Sequence, residues 1–536
     1  MKLLLILLAA ALQITPQPRE VALDKGSFRV RGAGFNYVSG LEDRTVKAIS
    51  QLADDISGAT GRMSSIAEAA GVSPATPAAS LKGFYFITDK SLPAENYNLE
   101  ICRKGVKVTA SDHNGFFYAI QTLRQMLPAG NYTGKPGGKW KLPQGRISDG
   151  PRFSYRGMHL DPCRHFWSVE ETKKYIDVMA LYKLNRLHWH LTEDQGWRLD
   201  VRKYPRLTEV GAFRNGTMVG HDFNSNDGIR YGGYYTREQI RDVVDYAWER
   251  GITVIPEVDL PGHMLGALAS YPELGCTGGP YDVWTIWGVS EDVLCVGKEK
   301  TMKFLEDVLD EICELFPSEY IHIGGDECPK TRWEKCPLCQ AKADELGLVS
   351  DSKGTREQKL QNYVTARMQR HLAGKGRKII GWDEILEGEL SPGATVMSWR
   401  GATGGIEAAR RGFDVVMTPY THFYFDYQQA DPATEPLGPG YIKTPLTLDK
   451  VYSFDPYDQL GPDEQKHILG VQANLWTEYI PTPEQLEYML LPRMLALSEV
   501  QWTPESGRDY ARFEAAVRGH QEAVLSALGY NFRPLD

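Results

Sequence analysis

Short apolar runs alternate with amphipathic segments along most of the chain after residue 150. The amphipathic segments have helical spacing, as in Ile240, Val243, Val244 and Ala247, which share one helix face. The apolar runs predict eight strands, at Arg156–Leu160, Arg186–Leu191, Ile252–Val258, Tyr320–Ile323, Lys378–Trp382, Thr395–Trp399, Val415–Thr418 and Ile468–Leu475. Eight strand–helix alternations predict an α/β fold, a (β/α)₈ TIM barrel over residues 151–505. A doubly wound sheet is the alternative, but no G-x-G-x-x-G follows the first strand.

Two helices of this region carry capping-box spacing at their predicted starts, Ser168 with Glu171 and Thr236 with Gln239. The connection before the eighth strand, about residues 420–467, is long for a barrel, and such loops usually build functional sites. A final helix in residues 506–536 predicts a helical tail packed on the barrel.

The region before the barrel, residues 18–150, mixes helix and strand signals. Periodicity predicts helices at Thr45–Ile56 and Phe116–Met126 and a strand at Gly83–Thr88. Two further strands, Tyr97–Cys102 and Val106–Ala110, flank a turn and predict a hairpin. These elements predict a small α+β domain, followed by a loop at residues 134–138 that is rich in glycine.

The first residues, MKLLLILLAAALQ, combine one lysine with an apolar run and then small residues. This pattern is typical of a secretory signal peptide, which we place at residues 1–17, and the run is too short to span a bilayer. No later segment is long and apolar enough for a span. The sequence therefore predicts export to a periplasm or the exterior, or to a lysosome-like lumen in a eukaryotic source.

Composition narrows the classes of partner. Hydrophobic residues make up 42% and charged residues 24%, as in ordinary globular proteins. The net charge of −9 argues against nucleic acid or an anionic membrane as the main partner. The 12 Trp and 27 Tyr are partly core residues, but their flat apolar rings also suit the faces of sugars.

Eight cysteines fit an oxidising compartment, where disulfides are permitted. Cys276 and Cys295 flank one loop, and we expect them to form a disulfide, because closing the loop limits the entropy of the unfolded chain. The sequence between Cys336 and Cys339 is a lone CxxC, which leaves a structural zinc site open as a less favoured alternative.

HIGGDE, at residues 322–327, places two adjacent carboxylates after an apolar run and two glycines. Alone, the motif is compatible with a plain acidic turn, a metal site, paired acid chemistry or a diguanylate cyclase. Polar and aromatic side chains, however, follow every predicted strand, and strand ends are where barrel enzymes place their chemistry. In chain order these are Asp161 and Arg164; Asp194; Glu257, Asp259 and His263; Asp326 and Glu327; Trp382, Asp383 and Glu384; Trp399 and Arg400; Tyr424 and Asp426; Trp476 and Glu478.

Carboxylates beside tryptophan platforms favour a glycoside hydrolase. The ordered motifs RGMHLD-x-x-RHF, HWHLTEDQGWR, PEVDLPGH, HIGGDE, GWDE, YFDY and NLWTE resemble family 20 of the glycoside hydrolases, the β-N-acetylhexosaminidases. NGFFYAIQTL, at residues 114–123, resembles the N-terminal domain of the same family. The cyclase interpretation also conflicts with the export signal and the barrel.

The resemblance implies a retaining, exo-acting glycosidase that removes terminal β-linked N-acetylhexosamine from glycans. The acetamido oxygen of the substrate would attack the anomeric carbon and form an oxazolinium intermediate, an exception to the two-carboxylate scheme. Glu327 would be the general acid and base, Asp326 would hold the acetamido N–H, and Tyr424 would hydrogen-bond the acetamido oxygen. Adjacent strand residues point to opposite faces, so both carboxylates can share one substrate only at an irregular strand end.

The resemblance also assigns the remaining contacts of the site. Arg164 and Glu478 would bind the distal sugar hydroxyls, which would close one end of the pocket, and Asp426 would bind a further hydroxyl. Asp194 and His263 would support the acid. Trp382, Trp399 and Trp476 would wall the pocket. We expect no cofactor and no metal ion, since HExxH and tight histidine clusters do not occur in the sequence. Two alternatives are a relative that releases disaccharides, as a lacto-N-biosidase does, and an inactive sugar-binding barrel.

Overall fold

The structure is a computed structural model that describes residues 12–133 and 140–535. Residues 1–11, which hold most of the predicted signal peptide, lie outside the described residues. The glycine-rich loop predicted at residues 134–138 lies outside them as well.

Eight parallel strands close into a barrel, which confirms the predicted fold class. Each strand begins and ends within two residues of its predicted position. The first strand pairs with the eighth, with Tyr155 opposite Gly470, so the sheet closes on itself. In chain order the strands are Tyr155–Leu160, Arg186–His190, Thr253–Glu257, Tyr320–His322, Lys378–Trp382, Thr395–Ser398, Asp414–Met417 and Ile468–Ala473.

Helices surround the barrel and bury their apolar faces against it. Both predicted capping boxes form: the side chains of Ser168 and Thr236 each accept from the backbone N–H three residues on, and Glu171 and Gln239 bond back. Helices around the barrel include Val169–Leu181, Arg237–Trp248, Glu299–Leu315, Arg356–Ala373, Thr403–Arg410 and Arg493–Trp502. Further helices in the connections include Leu265–Ser270, Thr331–Lys335, Pro337–Glu345, Tyr420–Phe423, Leu448–Tyr452 and Pro483–Leu490.

The chain before the barrel folds around a seven-stranded sheet. The predicted hairpin forms, with Tyr97–Ile101 antiparallel to Gly105–Ala110. The two predicted helices are Asp43–Thr60 and His113–Gln125. Four strands were missed because they are short, exposed or poorly alternating. Across the sheet the order is Glu20–Arg29, Lys141–Asp149, Tyr97–Ile101, Gly105–Ala110, Gly83–Thr88, Phe35–Tyr37 and Ile66–Glu68.

A buried ion pair joins this sheet to the barrel. The Lys183 ammonium lies 3.1 Å from Asp149 Oδ2, and both side chains are fully buried. The Asp149 carboxylate also accepts from the Tyr97 hydroxyl and from the Trp502 indole, at 2.5 and 2.9 Å. A buried charge is tolerated when it is paired and hydrogen-bonded, so this cluster fixes the sheet against the barrel.

Both ends of the described chain pack on the body of the protein. Helix Tyr510–Ala516 continues through a π-helical turn into helix Glu522–Leu528. Residues 12–17 run beside this tail: Ile14 is buried, and the Thr15 N–H donates to Gln125 Oε1 at 2.9 Å. The end of the segment assigned to the signal peptide therefore belongs to the packed fold.

The expected disulfide between Cys276 and Cys295 is not formed. All eight cysteines, which all lie among the described residues, have free thiols. Among the described residues, the structure has no helix long and apolar enough to cross a membrane.

Candidate active site

The carboxyl ends of the barrel strands surround a cavity of ≈ 670 Å³. Of the predicted site residues, nine line it: Arg164, His263, Asp326, Glu327, Trp399, Tyr424, Asp426, Trp476 and Glu478. The walls also include Glu193, His221, Phe223, Trp287, Val289 and Tyr441. The strand-end pattern thus brings together in space residues that are more than 300 positions apart in sequence.

The backbone after the fourth strand has the irregular geometry that the sequence predicted. Gly324, Gly325 and Glu327 have φ values of 61°, 100° and 41°. A Cβ on Gly324 would lie 1.8 Å from Asp259 Oδ1, so a side chain is excluded there. The Gly325 N–H donates to the same oxygen at 3.1 Å. These left-handed conformations place both adjacent carboxylates on the cavity, although positive φ is unfavourable for Glu327.

Asp326 and Glu327 differ in their access to solvent. The Glu327 side chain is 42% exposed, whereas that of Asp326 is only 13% exposed. Burial, reinforced by the nearby carboxylate of Asp259, raises the pKa of Asp326 well above its usual range. One carboxylate therefore lies at the cavity mouth and the other lies deeper in the cavity.

His263 connects these carboxylates to a buried acidic pair. Its Nε2 lies 3.6 Å from Glu327 Oε2 and 3.9 Å from Asp326 Oδ2. Its Nδ1 lies 2.8 Å from Glu193 Oε1 and 3.4 Å from Asp194 Oδ2. Burial alone would lower the pKa of His263, but the Glu193 and Asp194 carboxylates outweigh it and hold that pKa well above its usual range. The positively charged imidazolium form can then stabilise negative charge on either carboxylate of the cavity.

Asp194 lies beneath the cavity and does not line it. Its side chain is fully buried, and its Oδ1 accepts from the Leu265 N–H at 3.0 Å. Burial raises the pKa of Asp194. Its position fits the predicted supporting role behind His263, because its side chain contacts both that ring and the first residue of the following helix.

Arg164 lies at the deep end of the cavity. Its Nη1 lies 3.0 Å from Asp161 Oδ2, and its Nη2 lies 3.0 Å from Glu193 Oε2 and 3.9 Å from Glu478 Oε1. The ends of the first and eighth strands are neighbours in the closed barrel, which brings Arg164 and Glu478 together as their sequence positions predict. The guanidinium is therefore fixed by carboxylates on several sides.

Asp426 shares this deep end with Glu478. Its side chain is buried, and its Oδ1 has no hydrogen-bond partner among the described residues. Burial, with the adjacent Glu478 carboxylate, raises the pKa of Asp426 well above its usual range. A buried oxygen without a partner is unfavourable, so it is available to a polar ligand.

Aromatic rings form the side walls. The Trp399 and Tyr424 rings are stacked, with centroids 6.1 Å apart and an interplanar angle of 20°. Trp476 lies 6.3 Å from Tyr424 and packs against the Arg164 guanidinium, 5.0 Å from its ring. The Trp399 Nε1–H donates to Glu384 Oε2 at 2.9 Å, which fixes the orientation of the indole.

Trp382 is not among the residues that line the cavity but lies directly behind Trp476, and its place in the wall of the substrate pocket stays a prediction. It is 1% exposed, and its indole donates to Glu257 Oε1 at 2.8 Å. Its ring lies 5.9 Å from that of Trp476. Because it is the last residue of a strand whose alternation points it into the barrel, it forms the layer below Trp476 instead.

Sequence reasoning missed several cavity residues. Glu193 stands beside the predicted Asp194, and the adjacent acidic pair was a usable signal, since the same arrangement singled out Asp326 and Glu327. Trp287 and Tyr441 lie far from any strand end, in long connections without regular structure. Their inclusion in the cavity depends on loop conformation, which sequence periodicity does not encode.

Comparison with known families shows to which family this chain belongs. The family model described as "Glycosyl hydrolase family 20, catalytic domain" matches residues 153–505, and that described as "Glycosyl hydrolase family 20, domain 2" matches residues 11–150. The chain belongs to glycosyl hydrolase family 20. The first match covers the barrel and all the motifs named at the strand ends.

Curated relatives of this family 20 chain include a β-hexosaminidase of Porphyromonas gingivalis, 44% identical over 94% of this chain and 62% of the relative. A β-hexosaminidase of Vibrio furnissii is 37% identical over 77% of this chain and 66% of its own length. The chain therefore spans slightly less than two thirds of the length of these two relatives.

Solved family 20 structures share the whole architecture. The β-N-acetylhexosaminidase of Streptomyces coelicolor A3(2) superposes with a TM-score of 0.82 at 31% identity, covering 98% of both chains. A mutant β-hexosaminidase of Streptomyces plicatus, in complex with the product GlcNAc, gives a TM-score of 0.83 at 31% identity over 98% of this chain and 97% of its own.

We expect Glu384 to make stability fall as pH rises. Burial, with the Asp326 and Asp383 carboxylates, raises the pKa of Glu384 from 4.5 to about 9. Between these values the folded protein retains a proton that the unfolded chain releases, so the free energy of unfolding decreases with pH by at most about 1.4 kcal/mol per unit. Glu384→Gln should flatten this slope and keep the acceptor for Trp399.

The measurement is urea unfolding of wild type and Glu384→Gln at several pH values between about 5.5 and about 8.5. The control is Glu387→Gln, on the same turn but partly exposed, which should keep the wild-type slope. Parallel slopes for wild type and Glu384→Gln would contradict the raised pKa.

Proposed function

We propose that this protein is an exo-acting, retaining β-N-acetylhexosaminidase that releases one terminal non-reducing N-acetylhexosamine from glycans by substrate-assisted catalysis. The observation that carries the proposal is the pair of adjacent carboxylates, one at the mouth and one deep in a cavity walled by aromatic rings. The names of its relatives and the GlcNAc bound to the Streptomyces plicatus enzyme support it.

The exposure of Glu327 suits the general acid. Its carboxyl lies at the open side of the cavity, where the leaving group must depart. In the first step it protonates the glycosidic oxygen as the bond from the anomeric carbon breaks. In the second step it takes a proton from the water that attacks the same carbon, which restores the acid and gives a product of retained configuration.

The deeper groups serve the acetamido group. Its carbonyl oxygen attacks the anomeric carbon, forming the oxazolinium ring, and that ring opens when water attacks. Asp326 accepts a hydrogen bond from the acetamido N–H. Positive charge grows on this nitrogen as the ring forms, and it favours the ionised carboxylate against the burial that raises the pKa of Asp326. The Tyr424 hydroxyl donates to the attacking oxygen, and the rings of Trp399 and Trp476 exclude water around it.

The deep end supports removal of one sugar at a time. Arg164 supplies a rigid fork of donors, and the Glu478 and Asp426 carboxyls supply acceptors for the hydroxyls farthest from the scissile bond. A sugar extended beyond them would have to displace this charged cluster and leave buried groups unpaired. The opposite side is open and carries Phe223, Val289 and Tyr441, which are 55%, 40% and 78% exposed and offer apolar surface to the rest of the glycan.

We expect Glu327→Gln to reduce hydrolysis of natural glycosides by ~10²–10⁴-fold, the usual effect of removing general acid–base catalysis. Pre-steady-state rates on aryl β-N-acetylglucosaminides should show a smaller loss for acidic leaving groups, which need less protonation. Glu389→Gln, an exposed carboxylate, is the matched control. A loss independent of leaving-group acidity would remove Glu327 from this role.

Chitotetraose distinguishes exo-action from release of disaccharides. We expect N-acetylglucosamine and chitotriose as the first products, because the Arg164 cluster closes the deep end. Arg164→Ala should lower kcat/KM for the terminal sugar by about 10- to 100-fold, as expected for a lost charged hydrogen bond. Initial release of chitobiose would favour the disaccharide-releasing alternative, and binding without turnover would favour an inactive barrel.

We also propose that the protein is exported and that its signal peptide is cleaved between Ala11 and Leu12. Three alanines at residues 9–11 provide the small residues that such cleavage requires. The packing of residues 12–17 against Gln125 and Glu499 supports this position over residue 17, since cleavage there would remove buried chain.

N-terminal sequencing of protein recovered from the periplasm or medium should therefore begin at Leu12. A mature chain that begins at residue 18, or an uncleaved protein confined to the cytoplasm, would contradict this proposal.

A further inference from the structure

Four cysteines from three separate stretches of chain converge at one point. The Sγ atoms of Cys276 and Cys339 are 3.8 Å apart, and Cys295 Sγ lies 3.6 Å from those of both Cys336 and Cys339. All four sulfurs lie within 4.8 Å of one another. Cys295, Cys336 and Cys339 are buried, and Cys276 is partly so. None of the four lines the active-site cavity.

The spacing of the sulfurs matches a tetrahedral metal site. Zinc–thiolate bonds of about 2.3 Å place the sulfurs of a regular tetrahedron about 3.8 Å apart. A disulfide instead needs a separation of about 2.05 Å and one partner for each sulfur. Cys295 is equally distant from two partners, so its position favours neither pairing. Four thiolates with this geometry are the donor set of structural zinc.

The surrounding backbone is built closely around the cluster. A Cβ on Gly297 would lie 2.2 Å from the Leu338 carbonyl carbon, so the loop after Cys295 can approach the CxxC turn only with glycine there. Lys298 donates to the carbonyls of Glu273 and Gly275, at 2.8 and 2.7 Å, beside Cys276. A zinc ion with four thiolates carries a net charge of −2, which this ammonium partly offsets.

The helix Pro337–Glu345 contributes further to this charge balance. Cys336 precedes its first residue, and Cys339 lies in its first turn. The positive end of the helix dipole and its free N–H groups favour negative charge at this point. Two independent features, the lysine and the helix start, thus stabilise thiolates in the cluster.

We propose that Cys276, Cys295, Cys336 and Cys339 bind one structural zinc ion. The ion joins the connection after the third barrel strand, which carries His263 and Trp287, to the connection after the fourth, which carries Asp326 and Glu327. It replaces both the expected Cys276–Cys295 disulfide and the expectation that the protein holds no metal. Its role is to fix two active-site loops, and it takes no part in bond cleavage.

The first test is metal analysis of the wild-type protein, purified without chelator from the compartment where it accumulates. Elemental mass spectrometry should find about one zinc ion per chain, in line with one tetrahedral site. Non-reducing peptide mapping should find no disulfide among the four cysteines. Absence of zinc together with disulfides within the cluster would overturn the proposal.

Variants locate the ion. Cys339→Ser should lose the zinc, whereas Cys102→Ser, in the hairpin of the N-terminal domain, should retain it. Full zinc content in Cys339→Ser would overturn the assignment. If Cys339→Ser does not fold, wild-type protein produced with cobalt replaces it: thiolate-to-cobalt charge-transfer bands and intense tetrahedral d–d bands are expected, and octahedral spectra would contradict the site.

Removal of the ion tests its structural role. Titration with a mercurial reagent in the presence of a zinc indicator should release the metal and lower the unfolding temperature before any chemistry at Glu327 is affected. Activity should then fall because the two loops become less ordered, and kcat/KM should decrease by a similar factor for all leaving groups. This outcome is distinct from that of Glu327→Gln, so failure of the zinc proposal leaves the proposed catalytic function untouched.

Discussion

One buried carboxylate connects the strands that carry the active site. Glu257, the last residue of the third strand, is fully buried and accepts from the Trp382 indole of the fifth strand. It also contacts His190 of the second strand, and ring nitrogens of His188 and His322 lie 3.0 and 2.9 Å from its oxygens. Burial would raise the pKa of Glu257, but the histidines outweigh it and hold that pKa well below its usual range. An unpaired charge in this place would be severely destabilising, so the surrounding strand ends must keep their relative positions.

The cavity at the strand ends depends on this arrangement. His190 contacts both Glu257 and Glu193, and Glu193 in turn holds Arg164 at the deep end and His263 beside Glu327. The cluster therefore links Arg164, at the deep end of the cavity, to His263, which lies beside Asp326 and Glu327. Because such a cluster is stable only when every member is satisfied, a change at one position is transmitted to the others.

Apolar periodicity predicted the barrel well, because parallel strands buried on both faces give short continuous apolar runs. The motif at Asp326 and Glu327 singled out two carboxylates that line the cavity, and the strand-end positions predicted that Arg164 and Glu478 lie close together. The sequence does not show how deep a residue at a strand end lies, or which distant cysteines become neighbours, because both depend on three-dimensional packing. Trp382 follows the same strand-end rule as Trp399 yet lies one layer lower, and the spacing of Cys276 and Cys295 gave no indication of Cys336 and Cys339 as neighbours. The exposed strand Ile66–Glu68 lacks the alternation by which strands are recognised.

The exposed rim of the cavity, which includes Phe223 and Tyr441, has a consequence for the diversification of this protein. Tyr441 and Phe223 lie in long connections outside the barrel strands. The charged cluster at the deep end, by contrast, is formed by residues that closely follow the ends of the strands. Selection can therefore lengthen, shorten or replace the rim while the charged cluster keeps its framework. The rim and the charged cluster are in this sense separately heritable, so exchange of these connections between homologues changes the surface at the cavity opening and leaves the deep end intact.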